Sequence, residues 1–253
     1  VARTAVPGRL TGRLRWQTAT VEDVRDETAT ARTLVLRAPE WRGHAAGQHV
    51  DVRLTAEDGY STQRSYSLAS APGGDRIELT VQRIGDGEVS PYLVDVLETG
   101  DQLELRGPVG GWFVWDPADP SPVLLMAGGS GVVPLMSMIR ARGSAGSRVP
   151  FRLLYSVRAP EERYYAGELG PGGAQGGLDV THLYTRSAPE GPRRPPGRLT
   201  GDDVAAYGWP AEFTPMCFVC GPTGFVERAA GILVAQGHDP QRIRTERFGP
   251  VGG

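Results

Sequence analysis

Val123-Leu-Leu-Met-Ala127 runs directly into Gly128-Gly-Ser-Gly-Val-Val-Pro134, after which the pattern turns helical as far as Arg142. An apolar run that passes through glycines into a helix is a βα unit. The helix start offers unsatisfied N–H groups and the positive end of the helix dipole, which favour a pyrophosphate, and the glycines let a ligand approach the backbone. The pattern is G-x-G-x-x-P and not G-x-G-x-x-G, so by itself the segment also reads as a plain glycine turn between strand and helix. A hydrolase elbow around Ser130 fails, because the second glycine position is Val132 and none of the four histidines has a triad context.

Toward the carboxyl end the same alternation continues. Phe151-Arg-Leu-Leu-Tyr155, Leu178-Asp-Val-Thr-His-Leu-Tyr184 and Met216-Cys-Phe-Val-Cys220 read as strands, and Thr223 to Gln236 reads as a helix closing at Gly237. A doubly wound parallel α/β sheet is expected. Toward the amino end the pattern differs: Thr33–Arg37, His49–Leu54, Arg64–Leu68, Ile77–Arg83 and Gln102–Arg106 are short β-rich runs separated by turn signals, which predicts an antiparallel β-barrel. One helix is expected inside it, from Ser90 as N-cap with Pro91 at N1 to Leu97, stopped before Gly100. Trp115-Asp-Pro-Ala-Asp-Pro-Ser-Pro122 is loaded with turn residues and reads as the linker, while Gly170–Gly177 and Ser187–Gly197 read as long polar loops. The expected division is an amino-terminal arm at 1–12, a barrel domain at 13–116 and an α/β domain at 117–253, with no internal repeat.

Composition narrows the function classes. The 253 residues carry a formal net charge of -2, leaving no broad basic field for nucleic acid; Arg9, Arg13 and Arg15 are the one basic cluster near the start. All 27 basic residues are arginine, with no lysine and no asparagine, a bias that fits a GC-rich genome and lowers the weight of any single arginine. No apolar stretch is long enough for a membrane span and Val1 to Trp16 lacks the apolar core of a secretory signal, so a cytoplasmic protein is expected; a monomer is the expected state. Cys217 and Cys220 are too few for a four-thiolate iron–sulfur or zinc site, so no metal site is expected and any cluster belongs on another chain. Three residues apart on a strand, they point to opposite faces and should not form a redox dithiol.

Arg64-Ser-Tyr-Ser67 combines a guanidinium fork for phosphate, a flat ring and short hydroxyl donors, although a solvated strand with a tyrosine in the core explains it equally simply. In chain order, Arg64-x-Tyr66-Ser67, Gly87-Glu-Val-Ser90, Gly129-x-Gly131-x-x-Pro134 and Cys220-Gly221-Pro222 together resemble the ferredoxin–NADP reductase superfamily. The resemblance runs from about Arg15 to Phe248, and Gly47-Gln-His-Val50 and Gly107-Pro-Val-Gly110 with Trp112-Phe113 extend it within the barrel.

That resemblance implies an FAD-binding barrel, with FMN as the alternative, followed by a pyridine-nucleotide domain. Arg64 would contact the flavin pyrophosphate, Tyr66 would stack on the isoalloxazine, and Ser67 would lie near flavin N5. Val81 to Arg83 would flank the cofactor, and Gly87, Glu88, Val89 and Ser90 would turn backbone N–H groups to its phosphates. Gly129, Ser130, Gly131 and Pro134 would cradle the dinucleotide. Cys220, with Gly221 and Pro222, would lie beside the nicotinamide, whereas Cys217 reads as core. Glu246 would place a carboxylate near hydride transfer; either Phe248 or the tail would cover the flavin. The implied catalytic set is Ser67, Cys220 and Glu246. Ser156 and Arg158 after one strand, and Thr185 and Arg186 after the next, suit a 2′-phosphate and so favour NADPH, with NADH as the alternative. The activity implied is an FAD-dependent NAD(P)H oxidoreductase that moves hydride to flavin N5 and passes electrons singly to a separate ferredoxin or an oxygenase, haem or molybdenum component. A non-catalytic flavin- and nucleotide-binding subunit of a larger complex is the alternative.

Overall fold

The computed structural model describes residues 14–56, 58–170, 176–191 and 194–249; the arm at 1–12, Arg9, Arg13 and the tail at 250–253 lie outside them. Six antiparallel strands form the first unit: β1 (Trp16–Thr28), β2 (Ala31–Arg37), β3 (His49–Thr55), β4 (Ser61–Ser67), β5 (Arg76–Gln82) and β6 (Gln102–Val109). They are bonded in the order β4-β3-β6-β1-β2-β5. Just past β4, Leu68 bridges to Leu79 and the Ala69 N–H donates to the Glu78 carbonyl, so the outermost strands meet and the sheet closes as a barrel. Alternating residues such as Leu34, Leu36, Val50, Val52, Ile77 and Leu79 are fully buried inside it. Each contributes about 1.5–3 kcal/mol of burial.

β1 is not among the runs expected from the sequence. Its alternation holds only through Ala19 and Val21, and the register then shifts between Val21 and Asp23 and again between Asp26 and Thr28. Those irregularities let one 13-residue strand pair with β6 through Trp16–Thr20 and with β2 beyond, at the cost of a readable period.

The helix expected after Ser90 is a short π-helical turn, Tyr92–Val96, in which the Leu97 N–H reaches the Tyr92 carbonyl. Ser90 is not its N-cap: the buried Ser90 Oγ instead accepts the Ile84 N–H at 3.1 Å, tying down the loop that follows β5. A residue with a competing backbone donor close by in the fold does not serve its own helix.

The second unit alternates strand and helix: β7 (Val123–Gly128), α1 (Val132–Ser144), β8 (Phe151–Val157), β9 (Leu178–Tyr184), α2 (Gly201–Tyr207), β10 (Met216–Pro222), α3 (Thr223–Ala235) and β11 (Ile243–Phe248). All five strands are parallel, in the order β11-β10-β7-β8-β9. β7 is buried along its whole length, as expected of a central strand covered on both faces. α1 packs on the face turned to the barrel, in one core with Phe113, Trp115 and Ala69; α2 and α3 pack on the other through Val204, Val226, Ala229 and Leu233. Cys217 belongs to the second core and Cys220 to the first, on opposite faces as expected. α2 and β11 are absent from the sequence expectation, although Thr200-Gly-Asp-Asp203 carries the signal for α2. The Thr200 hydroxyl accepts the Asp203 N–H while the Asp203 carboxylate accepts the Thr200 N–H, a complete capping box.

Polar contacts fasten the units together. Ser137 Oγ of α1 donates to the Ser70 carbonyl at 2.7 Å, and Arg140 reaches both the Ala69 carbonyl at 3.0 Å and Glu78 at 2.8 Å. The buried Tyr165 hydroxyl donates to Thr80 of β5 at 2.6 Å, and its N–H donates to Glu27 at 2.7 Å. Among the described residues no helix is long and apolar enough to cross a membrane.

Candidate functional site

The order β10-β7-β8 places successive βα turns on opposite sides of β7, which opens a crevice at the carboxyl ends of the strands. Two glycine turns meet there. A Cβ on Gly131 would overlap the carbonyl oxygen of Cys220, and one on Gly221 would stand 3.0 Å from Gly128 Cα, so β7 and β10 can pass their turns this closely only as glycine. Gly129 differs: its φ is +53° and a Cβ there would meet nothing within 4 Å, so it faces open space.

That space is a cleft of about 630 Å³. Of the residues singled out from the sequence, Gly129, Ser130, Ser156, Arg158, Thr185, Arg186, Pro222 and Phe248 line it together. Gly131, Cys220 and Gly221 lie buried directly behind, and Pro134 is buried in the first turn of α1, where the absent N–H is no loss. Gln82, within the Val81 to Arg83 segment expected to flank the cofactor, is on the wall too, and residues that the sequence reading missed join it: Thr28 and Thr30 at the β1–β2 turn, Glu162, Tyr164, Arg198, Phe225 and Arg228. In a chain whose cations are all arginine, Arg198 and Arg228 carry no signal of their own until the fold brings them beside Arg158 and Arg186.

Electrostatically the cleft is lopsided. Four arginines line it against the single carboxylate of Glu162, and among the described residues none of the four forms an ion pair. Arg228 donates to the Leu199 carbonyl at 2.5 Å, which leaves its charge uncompensated. Cations gathered without counter-ions suit an anionic ligand.

The barrel residues form a separate group. Arg64 is exposed on β4, and its Nη1 donates only to neutral partners, Thr62 Oγ1 at 3.2 Å and the Gln63 carbonyl at 2.7 Å. Tyr66, on the same face, is half-buried against the barrel core, and burial pushes its hydroxyl up to about 12. Ser67 stands opposite His49 in the β3–β4 ladder. The reading of Val81 to Arg83 divides: Val81 is fully buried in the barrel, Arg83 pairs with Asp95 at 2.5 Å, and Gln82 between them faces the cleft. Gly87 and Glu88 lie in the loop before the π-helical turn, with Val89 buried in the barrel core and Glu88 accepting weakly from Tyr60.

Glu246 and Cys220 are register partners in β11 and β10. Burial raises the Glu246 carboxyl to about 7. Burial first, and the nearby Glu246 charge second, push the Cys220 thiol well up, so it is a neutral thiol and not a nucleophile. Glu246 Oε1 lies 3.7 Å from His49 Nδ1 across the boundary between the units. In the sequence His49 stands out only as part of Gly47-Gln-His-Val50; its meeting with Glu246 depends on packing that no local pattern encodes.

The residues fit the two groups that the fold implies. Arg64 has an uncompensated fork for a diphosphate beside an aromatic face, and Gly129 and Ser130 offer backbone to a cleft that a Cβ would enter freely. This is the anatomy of an oxidoreductase that holds a flavin against a nicotinamide nucleotide. The model of the oxidoreductase FAD-binding domain matches residues 18–114, and that of the oxidoreductase NAD-binding domain matches residues 125–230. The chain belongs to the ferredoxin–NADP reductase superfamily and binds FAD and a pyridine nucleotide in its two domains. It is 31% identical to the reductase subunit of an aromatic O-demethylase from an Amycolatopsis species, over 99% of this chain and 75% of that protein. It is also 31% identical to the glycine betaine monooxygenase reductase subunit of Chromohalobacter salexigens over 80% of this chain, spanning 55% of that protein's length. Among solved structures, the FAD/NAD-binding domain of nitric oxide dioxygenase from Vibrio cholerae superposes with a TM-score of 0.82 at 27% identity, covering 92% of this chain and 99% of that one.

Proposed function

We propose that the chain is a reductase component that oxidises NADPH through FAD and delivers electrons one at a time to a separate redox protein, a ferredoxin or an oxygenase, haem or molybdenum component. The observation that carries the nucleotide preference is the set of four unpaired arginines in the cleft, set against one carboxylate. A 2′-phosphate answers that surplus of charge, whereas a free 2′-hydroxyl asks for a carboxylate. Relatives named as the reductase subunits of an aromatic O-demethylase and of a glycine betaine monooxygenase support the separate acceptor.

The flavin, once bound, supplies hydride acceptance at N5 and one-electron release. The chain's residues do the rest. Arg64 binds the flavin diphosphate, Tyr66 presents its ring to the isoalloxazine, and Ser67 at the end of the same strand donates a hydroxyl. Backbone at Gly129 and Ser130 holds the nucleotide diphosphate, and Ser156, Arg158, Thr185 and Arg186 hold its adenosine end. Cys220 and Glu246 orient the nicotinamide from the β10–β11 edge, and Phe248 at the cleft wall excludes water. The domains divide at 13–116 and 117–253. Steady-state kinetics with both nucleotides test the proposal: kcat/KM for NADPH should exceed that for NADH by about tenfold or more, the value of one charge-assisted phosphate contact. Equal values would overturn the preference, and a purified flavoprotein that NADPH does not bleach anaerobically would overturn the activity.

A further inference from the structure

His49 and Glu246 meet where the two units touch. His49 opens β3, with Ser67 of β4 opposite on one side and Val109 of β6 on the other. Gly110 lies beside the ring, where a Cβ would come into ordinary contact with His49 Cε1 and Nδ1 at 3.4 Å. Across the boundary, Glu246 is held in β11 beside Cys220. The two side chains are 24% and 26% exposed, and Glu246 Oε2 is buried with no hydrogen-bond partner.

The surrounding charges are engaged elsewhere. On the barrel side Asp51 faces His49, but its carboxylate is bound by Arg106 at 2.7 Å and by Ser65 at 2.7 Å. On the nucleotide side, Arg247 turns to Glu227 and Arg244 donates to the Val114 carbonyl. Cys220 is a neutral thiol. Among the described residues no arginine forms an ion pair with Glu246, so the imidazole is the one basic group within ion-pair distance of it.

We infer that His49 and Glu246 hold one proton between them across the domain boundary, making His49 the positioning residue for Glu246. The 3.7 Å between Glu246 Oε1 and His49 Nδ1 is ion-pair distance and longer than a direct hydrogen bond, so the proton passes through a bridging water or a small turn of either side chain, and the pair alternates between carboxylic acid with neutral imidazole and carboxylate with imidazolium at unchanged net charge. Burial raises the carboxyl to about 7 and lowers the imidazole, so it favours the neutral form of each, and at ion-pair distance the titration steps of two such groups belong to the pair. The consequence for catalysis rests on the proposed place of Glu246 beside the nicotinamide; the pairing itself does not.

The test is a carbon-detected NMR titration of glutamate carboxyl groups in the FAD-loaded protein without nucleotide, with the Glu246 signal assigned by its loss in Glu246→Gln. In His49→Gln the Glu246 midpoint should rise by about one pH unit, because the carboxylate loses the imidazolium that favours it. Reciprocally, the His49 ring-nitrogen midpoint should fall in Glu246→Gln, a reading that stands even should His49→Gln not fold. Midpoints unmoved in the partner's variant would overturn the pair. Stopped-flow flavin reduction against pH separates the two readings: midpoints that shift while the rate profile of His49→Gln stays unchanged uphold the pair and remove Glu246 from the reacting end.

Discussion

Arg64 is an exposed side chain on β4 that, among the described residues, donates to a neighbouring hydroxyl and a carbonyl, whereas Gly131 has no side chain and lies against the backbone of Cys220. The barrel presents its ligand groups as side chains outside a finished core. In the proposed nucleotide site the α/β half offers backbone at Gly129 and Ser130, next to Gly131 and Gly221, the glycines that let two strand–helix turns pass. A site of the first kind can be emptied while the fold stays intact; in a site of the second kind, ligand and fold share atoms.

Gly131→Ala is the strongest way to break that contrast. Overpacking typically costs about 1–3 kcal/mol, and the obstacle here is main chain with no rotamer to yield, so a loss of about 3 kcal/mol is expected. Thermal denaturation should show a melting temperature lower by roughly 6–12 °C. A melting point within a degree of the parent would show that the turns can part freely.

Arg64→Ala should do the reverse, leaving the melting temperature of the FAD-free protein unchanged while weakening FAD by about tenfold to a hundredfold, the worth of a charge-assisted contact of about 1.5–3 kcal/mol. Full FAD occupancy after dialysis would displace the phosphate site from β4.

Glu246 lies between the two kinds. Its folded carboxyl is raised to about 7 from an ordinary value of 4.5, so the folded state binds more protons than the unfolded one between those values. Stability therefore falls as pH rises from about 4.5 toward 7 and is level above that. Glu246→Gln should remove the slope and add roughly 2 kcal/mol at pH 8, with no gain at pH 4. Denaturant titrations at the two pH values measure it, and an equal change at both would refute the assignment. The smallest effect belongs to Arg186→Ala, because this exposed cation shares the cleft with three other arginines. Its loss should lower kcat/KM for NADPH by about tenfold and leave NADH unaffected, as steady-state kinetics would show.

The sequence was most legible where a period or a turn stands alone. β7 and its glycine turn could be read because a buried strand is apolar throughout and the turn needs glycine. The bulged β1 could not, since its register shifts scramble the alternation, and Ser90 misled because Ile84 claims its oxygen. Ser156, Arg158, Thr185 and Arg186, singled out by the family resemblance at two strand ends, do line one cleft, because strand ends in a parallel sheet converge at one rim. Arg198, Arg228 and His49 were not, because each joins the site through a loop, a helix face or the opposite domain.

Cys217 and Cys220 sit three residues apart in different cores, one near His238 Nδ1 at 3.8 Å beneath α2 and α3, the other behind the glycine turn on the side facing the barrel. Both are buried, so a thiol-reactive dye should label neither until something opens. What must open differs: the α2–α3 layer has to lift for Cys217, and the seam between barrel and sheet has to part for Cys220. Two single-cysteine variants would then act as separate stopwatches, one timing the loss of the sheet's outer layer and the other the breathing of the seam. Bound nucleotide should slow only the second.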